Sequence, residues 1–277
     1  MHNNRKVSEI DPVLLGQETA VNIDVPSEKI PPFTFQYKKY TNVADLADAL
    51  GTDWKNGKRR LYRSLLTKHF TPINQEIARH CMDAEEAVRR DASREDIEFF
   101  CVLYKMYPQL KSFHWLDYNF SSMVELGTAI LEGLRKNDRS IIDMTHIFIV
   151  NHLFSQREKI VSLNGRNRAK RIEAIETKYL VTSRYSDQRI QMEQMYVLGY
   201  LYSGSTELVT VQRTFESVQA LTNYAKSLMI EDTQKLDFIA DILMEASEKN
   251  PDVGQKIPSP QFAAWLSALG YGDVLGQ

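Results

Sequence analysis

Three segments of this chain share one pattern, in which an aromatic residue is followed by polar residues and then by the first apolar turn of a helix. They run from Tyr40 to Leu46, from Phe120 to Leu126 and from Phe215 to Leu221, starting 80 and then 95 residues apart. Self-similarity of this kind marks supersecondary units that bury an apolar face only by stacking on their neighbours. The expected fold is therefore all-α, an array of about three helical units, as a helical repeat or elongated bundle, behind an extended N-terminal leader. The leader is placed at 1–32, where Pro12, Pro26, Pro31 and Pro32 oppose helix. The units are placed at 33–119, 120–214 and 215–277, the third being shorter and closing on a C-terminal capping helix over Gln261 to Leu269.

Within the first unit, Thr41 or Asn42 is expected to cap a helix that Gly51 ends. A second helix, from Asp53 to Phe70, places Trp54, Leu61 and Leu65 inward and Lys55, Arg59 and Arg63 along a cationic outer stripe. Thr71 and Pro72 read as the start of a third helix through Ile77 and Cys81, and Ser93 to Asp96 as the start of a fourth that stops before Pro108. In the second unit, Ser122 and Glu125 form a capping box, and Asp138 caps a helix running to Phe154. Leu65–Phe70 and Ile149–Phe154 match in apolar pattern, and Leu103–Tyr107 matches Leu198–Tyr202 at the same offset of 95.

With 43% apolar residues the chain can build a core, and its net charge of −2 gives no general attraction to nucleic acid or anionic lipid. Cys81 and Cys101 lie in apolar helical pattern, which fits buried free thiols in the cytoplasm. The first residues lack the apolar core of a secretion signal, and the longest apolar stretch, 141–154, is interrupted by Asp143, His146, Asn151 and His152.

A search for chemistry yields little. His80 and Cys81 are adjacent and diverge by about 100° on a helix. His146 and His152 are six apart, outside the three-to-five spacing of zinc helices. Asp143 and His146 have the spacing of a di-iron motif without its second copy. Phosphate-loop, dinucleotide and nucleophile-elbow patterns are absent from the sequence. Asp237, Asp241 and Glu245 share one helical face and read as a solvated acidic face. No metal, cofactor or catalytic residue is expected.

Two basic clusters are sharper. One holds Lys55, Lys58, Arg59, Arg60, Arg63 and Lys68 without an acid; the other holds Arg157, Lys159, Arg166, Arg168, Lys170 and Arg171 against Glu158. Each contains an Asn-Gly pair followed by a cation, at 56–58 and 164–166. As candidate binding residues, Lys55, Lys58, Arg59, Arg63, Arg166, Arg168 and Arg171 would meet an acidic protein surface or a nucleic acid if displayed together, and solvent if not. Phe113, Trp115, Tyr118 and Phe120 have the composition of a base-stacking platform or of packing between units.

The stretches Val43 to Leu50, Trp54 to Phe70, Phe113 to Trp115 and Phe120 to Leu131 resemble a poorly characterised bacterial helical module. That module is attached to eukaryote-like serine/threonine kinases and encoded near Hsp70-type chaperones; Ser64 stands here where it has glycine. The resemblance implies a regulatory or adaptor role with a kinase- or chaperone-system partner. The sequence thus points to a non-catalytic protein-binding module in a bacterial multicomponent system. Nucleic-acid binding through the cationic helix face and an unrecognised enzyme are the alternatives.

Overall fold

The computed structural model describes residues 29–161, 166–183, 187–210, 213–228, 244–245 and 257–270. For Arg166, 244–245 and 257–258 it describes the backbone alone. The chain is mostly helical, but each of the three recurrent phrases also contains strand. Hairpin β1 (Lys29–Phe35) and β2 (Lys38–Asn42) leads into α1 (Val43–Thr52); β3 (Phe113–Trp115) and β4 (Tyr118–Phe120) lead into α6 (Met123–Arg135); β5 (Leu208–Val209) and β6 (Thr214–Phe215) lead into α11 (Val218–Leu228). The register is the same each time: Phe33 opposes Tyr40, Phe113 opposes Phe120, and Leu208 opposes Phe215. The recurrent aromatic is thus the cross-strand partner of an apolar residue seven positions earlier.

Two residues after each aromatic comes the cap. Asn42 accepts the Asp45 N–H at 2.7 Å, Ser122 the Glu125 N–H at 3.1 Å, and Ser217 the Ala220 N–H at 3.1 Å. Glu125 reaches back to the Ser121 N–H, completing a capping box shifted by one residue from the usual spacing. Leu46, Leu126 and Leu221, four residues further on, are buried.

The described residues gather into two compact units, 29–126 with 143–180 and 127–142 with 181–270; the division falls within the sixth, seventh and ninth helices. In the first, α2 (Trp54–Tyr62), α3 (Leu65–Phe70), α4 (Gln75–Arg90) and α5 (Glu95–Met106) follow α1, while the end of α7 (Arg139–Val150), α8 (Leu153–Val161) and most of α9 (Arg166–Ser183) complete the body. Its core is aromatic. Phe100 meets Tyr104 and Phe113 edge-on at 4.9 and 5.4 Å, and Phe113 packs on Phe148 and Phe154. Phe113 and Trp115 are buried and so belong to packing, not to a base-stacking surface. The thiols of Cys81 and Cys101 are buried here as well, burial pushing them up to about 12 and about 11.

In the second unit, α10 (Gln188–Ser203) is buried all round from Glu193 to Tyr202 and packs on α12 (Pro260–Ala268). Trp265 of α12 is fully buried and donates its indole N–H to the Thr206 carbonyl at 2.9 Å, so this helix is a core element of its unit. Strands β7 (Met244–Glu245) and β8 (Ile257–Pro258) pair antiparallel.

Several boundaries differ from the sequence reading. Strand β1 begins at Lys29 and contains Pro31 and Pro32, so part of the expected extended leader is paired in a hairpin; 1–28 lie outside the described residues. The helix expected over 53–70 is broken at Ser64, whose φ of 56° is left-handed. The break stands where the resemblance called for glycine, the residue that adopts this conformation most cheaply. The helix expected to run through to Phe154 breaks likewise at His152, φ 55°. Asn74, not Thr71, caps α4 by accepting the Glu76 and Ile77 N–H groups. Asp138 does cap α7. Gly51 lies inside α1, and Asn56-Gly57 sits in α2, where a Cβ on Gly57 would stand 2.3 Å from the Leu50 carbonyl oxygen.

Candidate partner-binding groove

Helix α2 sorts its cations by angle. Residues at positions i, i+4 and i+8 share a face, and Trp54, Lys58 and Tyr62 all turn toward the start of α5. The Trp54 indole donates to Asp96 at 2.7 Å, the Lys58 ammonium pairs with Glu95 and Asp96 at 2.7 and 2.6 Å, and the Tyr62 hydroxyl donates to the Glu95 carbonyl at 2.6 Å. Burial works against the Lys58 charge, but the bonds to Asp96 and Glu95 outweigh it and hold its pKa above the ordinary lysine value. Lys58 therefore belongs to the structure of the first unit.

The other face of α2 is different. Arg59, Arg60 and Arg63, with Asn56 and Leu65, form one wall of a groove of about 430 Å³ whose opposite wall is the first hairpin from Thr34 to Tyr37. Among the described residues no carboxylate lies within ion-pair distance of these three arginines. Lys55, one turn before Arg59, is exposed, as are Lys38 and Lys39 on β2. Placing Arg59 and Arg60 in the last turn of α2 also suits the helix dipole.

The hairpin tip is held in a costly shape. Gln36 and Tyr37 have φ values of 48° and 64°, the double left-handed turn that Asn-Gly pairs normally supply. Each such residue costs about 1 kcal/mol or more, and such strain concentrates at binding sites. Gln36 is secured by donating to Asp53 at the N-cap of α2. Tyr37 is left fully exposed at the mouth of the groove.

Much of the second basic cluster is spent on carboxylates of the first unit. Arg157 is buried, pairs with Glu158 at 3.2 Å, donates to the Leu110 carbonyl at 3.4 Å and lies over the Tyr104 ring at 5.1 Å. Arg168 pairs with the other Glu158 oxygen at 3.2 Å, and Lys159 with Glu173 at 2.8 Å. Arg171 is half-buried, and burial together with Arg168 lowers its pKa from the ordinary arginine value. The Arg166 side chain, the Asn164-Gly165 pair, Asp237 and Asp241 lie outside the described residues, and Glu245, expected on a helical acidic face, stands in strand β7. Of the predicted site residues, Arg59 and Arg63 line the groove with Lys55 beside it; Arg60, named in the cluster but not as a candidate, lines it too, as do Gln36 and Tyr37, which the sequence did not single out. The alternation of Phe33, Phe35, Lys38 and Tyr40 is the signal that locates the tip.

One cluster, with Ser112 and His114 buried and Asp48 and Asn119 exposed, has the residue types of a hydrolytic triad with different wiring. Ser112 donates to Asp48 Oδ1 at 2.6 Å, His114 Nε2 lies 3.0 Å from the same oxygen, and His114 Nδ1 lies 2.7 Å from Asn119 Oδ1. Both ring nitrogens are thus engaged away from the hydroxyl, so no base-to-nucleophile contact forms. The cluster ties α1 to the second hairpin. His146 Nδ1 meets the Tyr179 hydroxyl at 2.7 Å, and no group of three or more His, Cys, Asp or Glu side chains is placed to hold a metal among the described residues. Nor is any described helix long and apolar enough to cross a membrane. Comparison with protein-family models, curated proteins and solved structures finds no match.

Proposed function

We propose that this chain is a non-catalytic adaptor, a cytoplasmic repeat scaffold that docks a short acidic segment of a protein partner in the Arg59–Arg60–Arg63 groove. One observation carries the reading: three arginines line one groove with no carboxylate within ion-pair distance of them among the described residues. Arginine presents a planar fork of donors matched to carboxylates, and side chains already held by a helix lose less freedom on binding. The common register of the three hairpins supports the scaffold half of the proposal, as does the recurrence of hairpin, capped helix and broken helix pair. The kinase- and chaperone-associated modules that the sequence resembles suggest a regulatory setting for such a scaffold.

A short acidic segment fits better than a nucleic acid. A long polyanion leaving the groove would run toward Asp45, Asp48 and Asp53 around α1, or toward Glu95, Asp96 and Glu98 at the start of α5. Fluorescence anisotropy with a labelled Asp/Glu-rich peptide and with a single-stranded oligonucleotide tests the reading. The peptide is expected to bind the intact chain, weakening as salt rises, and the triple variant R59E/R60E/R63E to lose about tenfold or more in affinity. Equal peptide affinity in the variant would refute the groove, and tighter oligonucleotide binding would replace the partner class.

A further inference from the structure

We propose that the second unit holds a binding site for an organic oxyanion, a carboxylate or phosphate monoester carried on an apolar body. The site is an open cavity of about 990 Å³ lined by the end of α6, the first half of α10, β5 and the start of α12. Small-molecule sites run from roughly 300 to 1,000 Å³ and combine apolar walls with a few convergent polar groups. Here Met192, Val209 and Pro260 supply apolar wall, while Arg135 and Arg189 bring cations to the same space.

Arg135 carries the argument. Its Nε and Nη2 are buried without a hydrogen-bond partner, a costly state for donors of a charged group. The groups beside it do not neutralise it. The Tyr200 hydroxyl engages the guanidinium, but burial raises the Tyr200 phenol and pushes Tyr196 up to about 12, so both are uncharged at neutral pH. Among the lining residues Glu132 is the acid, and it pairs with Lys136 at 3.0 Å. The N-terminus of α12, capped by Ser259 accepting the Phe262 N–H at 3.3 Å, opens on the same cavity and adds favourable potential for an anion.

An oxyanion offers paired acceptors to the guanidinium fork. A neutral apolar molecule would leave the Arg135 donors unmatched, and inorganic phosphate alone would leave the apolar wall uncovered. The ligand therefore needs both parts. This site lies in the unit that does not contain the arginine groove, so either reading can fail without the other.

Isothermal titration of the full chain with octanoate, octyl phosphate, octanol and inorganic phosphate tests it. Octanoate or octyl phosphate is expected to saturate a single site, the tighter of the two identifying the headgroup. Octanol and inorganic phosphate should bind about tenfold or more weakly. Arg135→Gln should weaken the tighter ligand by a similar factor, and R59E/R60E/R63E should leave it unchanged. Octanol binding as well as octanoate and octyl phosphate, an Arg135→Gln variant of unchanged affinity, or no saturable binding by either anion would overturn the proposal. If Arg135→Gln does not fold, Met192→Trp fills the apolar wall; loss of binding there supports the site, and retained affinity rejects it.

Discussion

His152 Nδ1 lies 3.3 Å from the buried carboxylate of Glu176, and three residues on, the Ser155 N–H donates to the other oxygen of that carboxylate at 3.3 Å. Ser64 and Thr67 stand in the same relationship to Glu85, which is also buried. In both places a left-handed residue breaks a helix, and a glutamate from the next long helix gathers the polar groups freed at the break. This pairing aligns Leu66 with Phe154, both fully buried, four residues away from the match that apolar pattern alone suggests.

Removing either carboxylate should loosen its break. Glu85→Ala leaves the Ser64 and Thr67 hydroxyls without their acceptor and is expected to cost about 1–3 kcal/mol in chemical denaturation. Glu85→Gln, which keeps an acceptor, should cost clearly less. Equal losses would mean that the contact is packing alone.

Two carboxyl groups should give stability opposite slopes with pH. Burial raises the Glu176 pKa above its ordinary value, outweighing the bonds from Ser155 and the charge of His152. Between the unfolded and the raised folded pKa, the native state holds a proton that the unfolded chain has released, so stability falls as pH rises from about 4.5 through that window. Asp48 is the reverse case. Its bond to His114 lowers its pKa, burial opposing and Ser112 assisting, so its contribution is present above about 3.8 and is lost as pH falls through the folded value. Denaturation midpoints against pH should lose the first slope in Glu176→Gln and the second in Asp48→Asn. Unaltered profiles would contradict these assignments.

Gly51 is required by a ring. A Cβ at this position would stand 2.4 Å from His114 Cδ2, closer than atoms can pack. Gly51→Ala in a helix interior would otherwise be worth about +1 kcal/mol. Here it should instead destabilise by about 1–3 kcal/mol through overpacking, and the His114 ring proton signals should shift as the ring leaves Asp48. A stabilised variant would show that the helix and hairpin are not in contact there.

What the sequence disclosed and what it hid follow one physical division. The caps Asn42, Ser122 and Asp138 were legible because a cap is a contact within three residues. The strands were not, since their tips, Gln36-Tyr37 and Leu116-Asp117, lack the glycine that advertises a tight turn. Lys58 and Arg59 are indistinguishable as letters; only the docking of α2 on Glu95 and Asp96 of α5 consumes one and leaves the other free. Arg168 is spent on Glu158, ten residues away on another helix. The left-handed residues Ser64 and His152 depend on carboxylates 21 and 24 positions on, beyond the reach of local pattern.

The central claim is that the arginine groove is where an acidic partner segment sits. Amide chemical-shift mapping of the full chain during titration with the Asp/Glu-rich peptide tests this most directly. The account predicts saturable shifts clustered at Thr34–Lys39 and Asn56–Leu65, absent in R59E/R60E/R63E. Shifts centred on Arg157–Arg171, or shifts at the groove that persist in the variant, would contradict it.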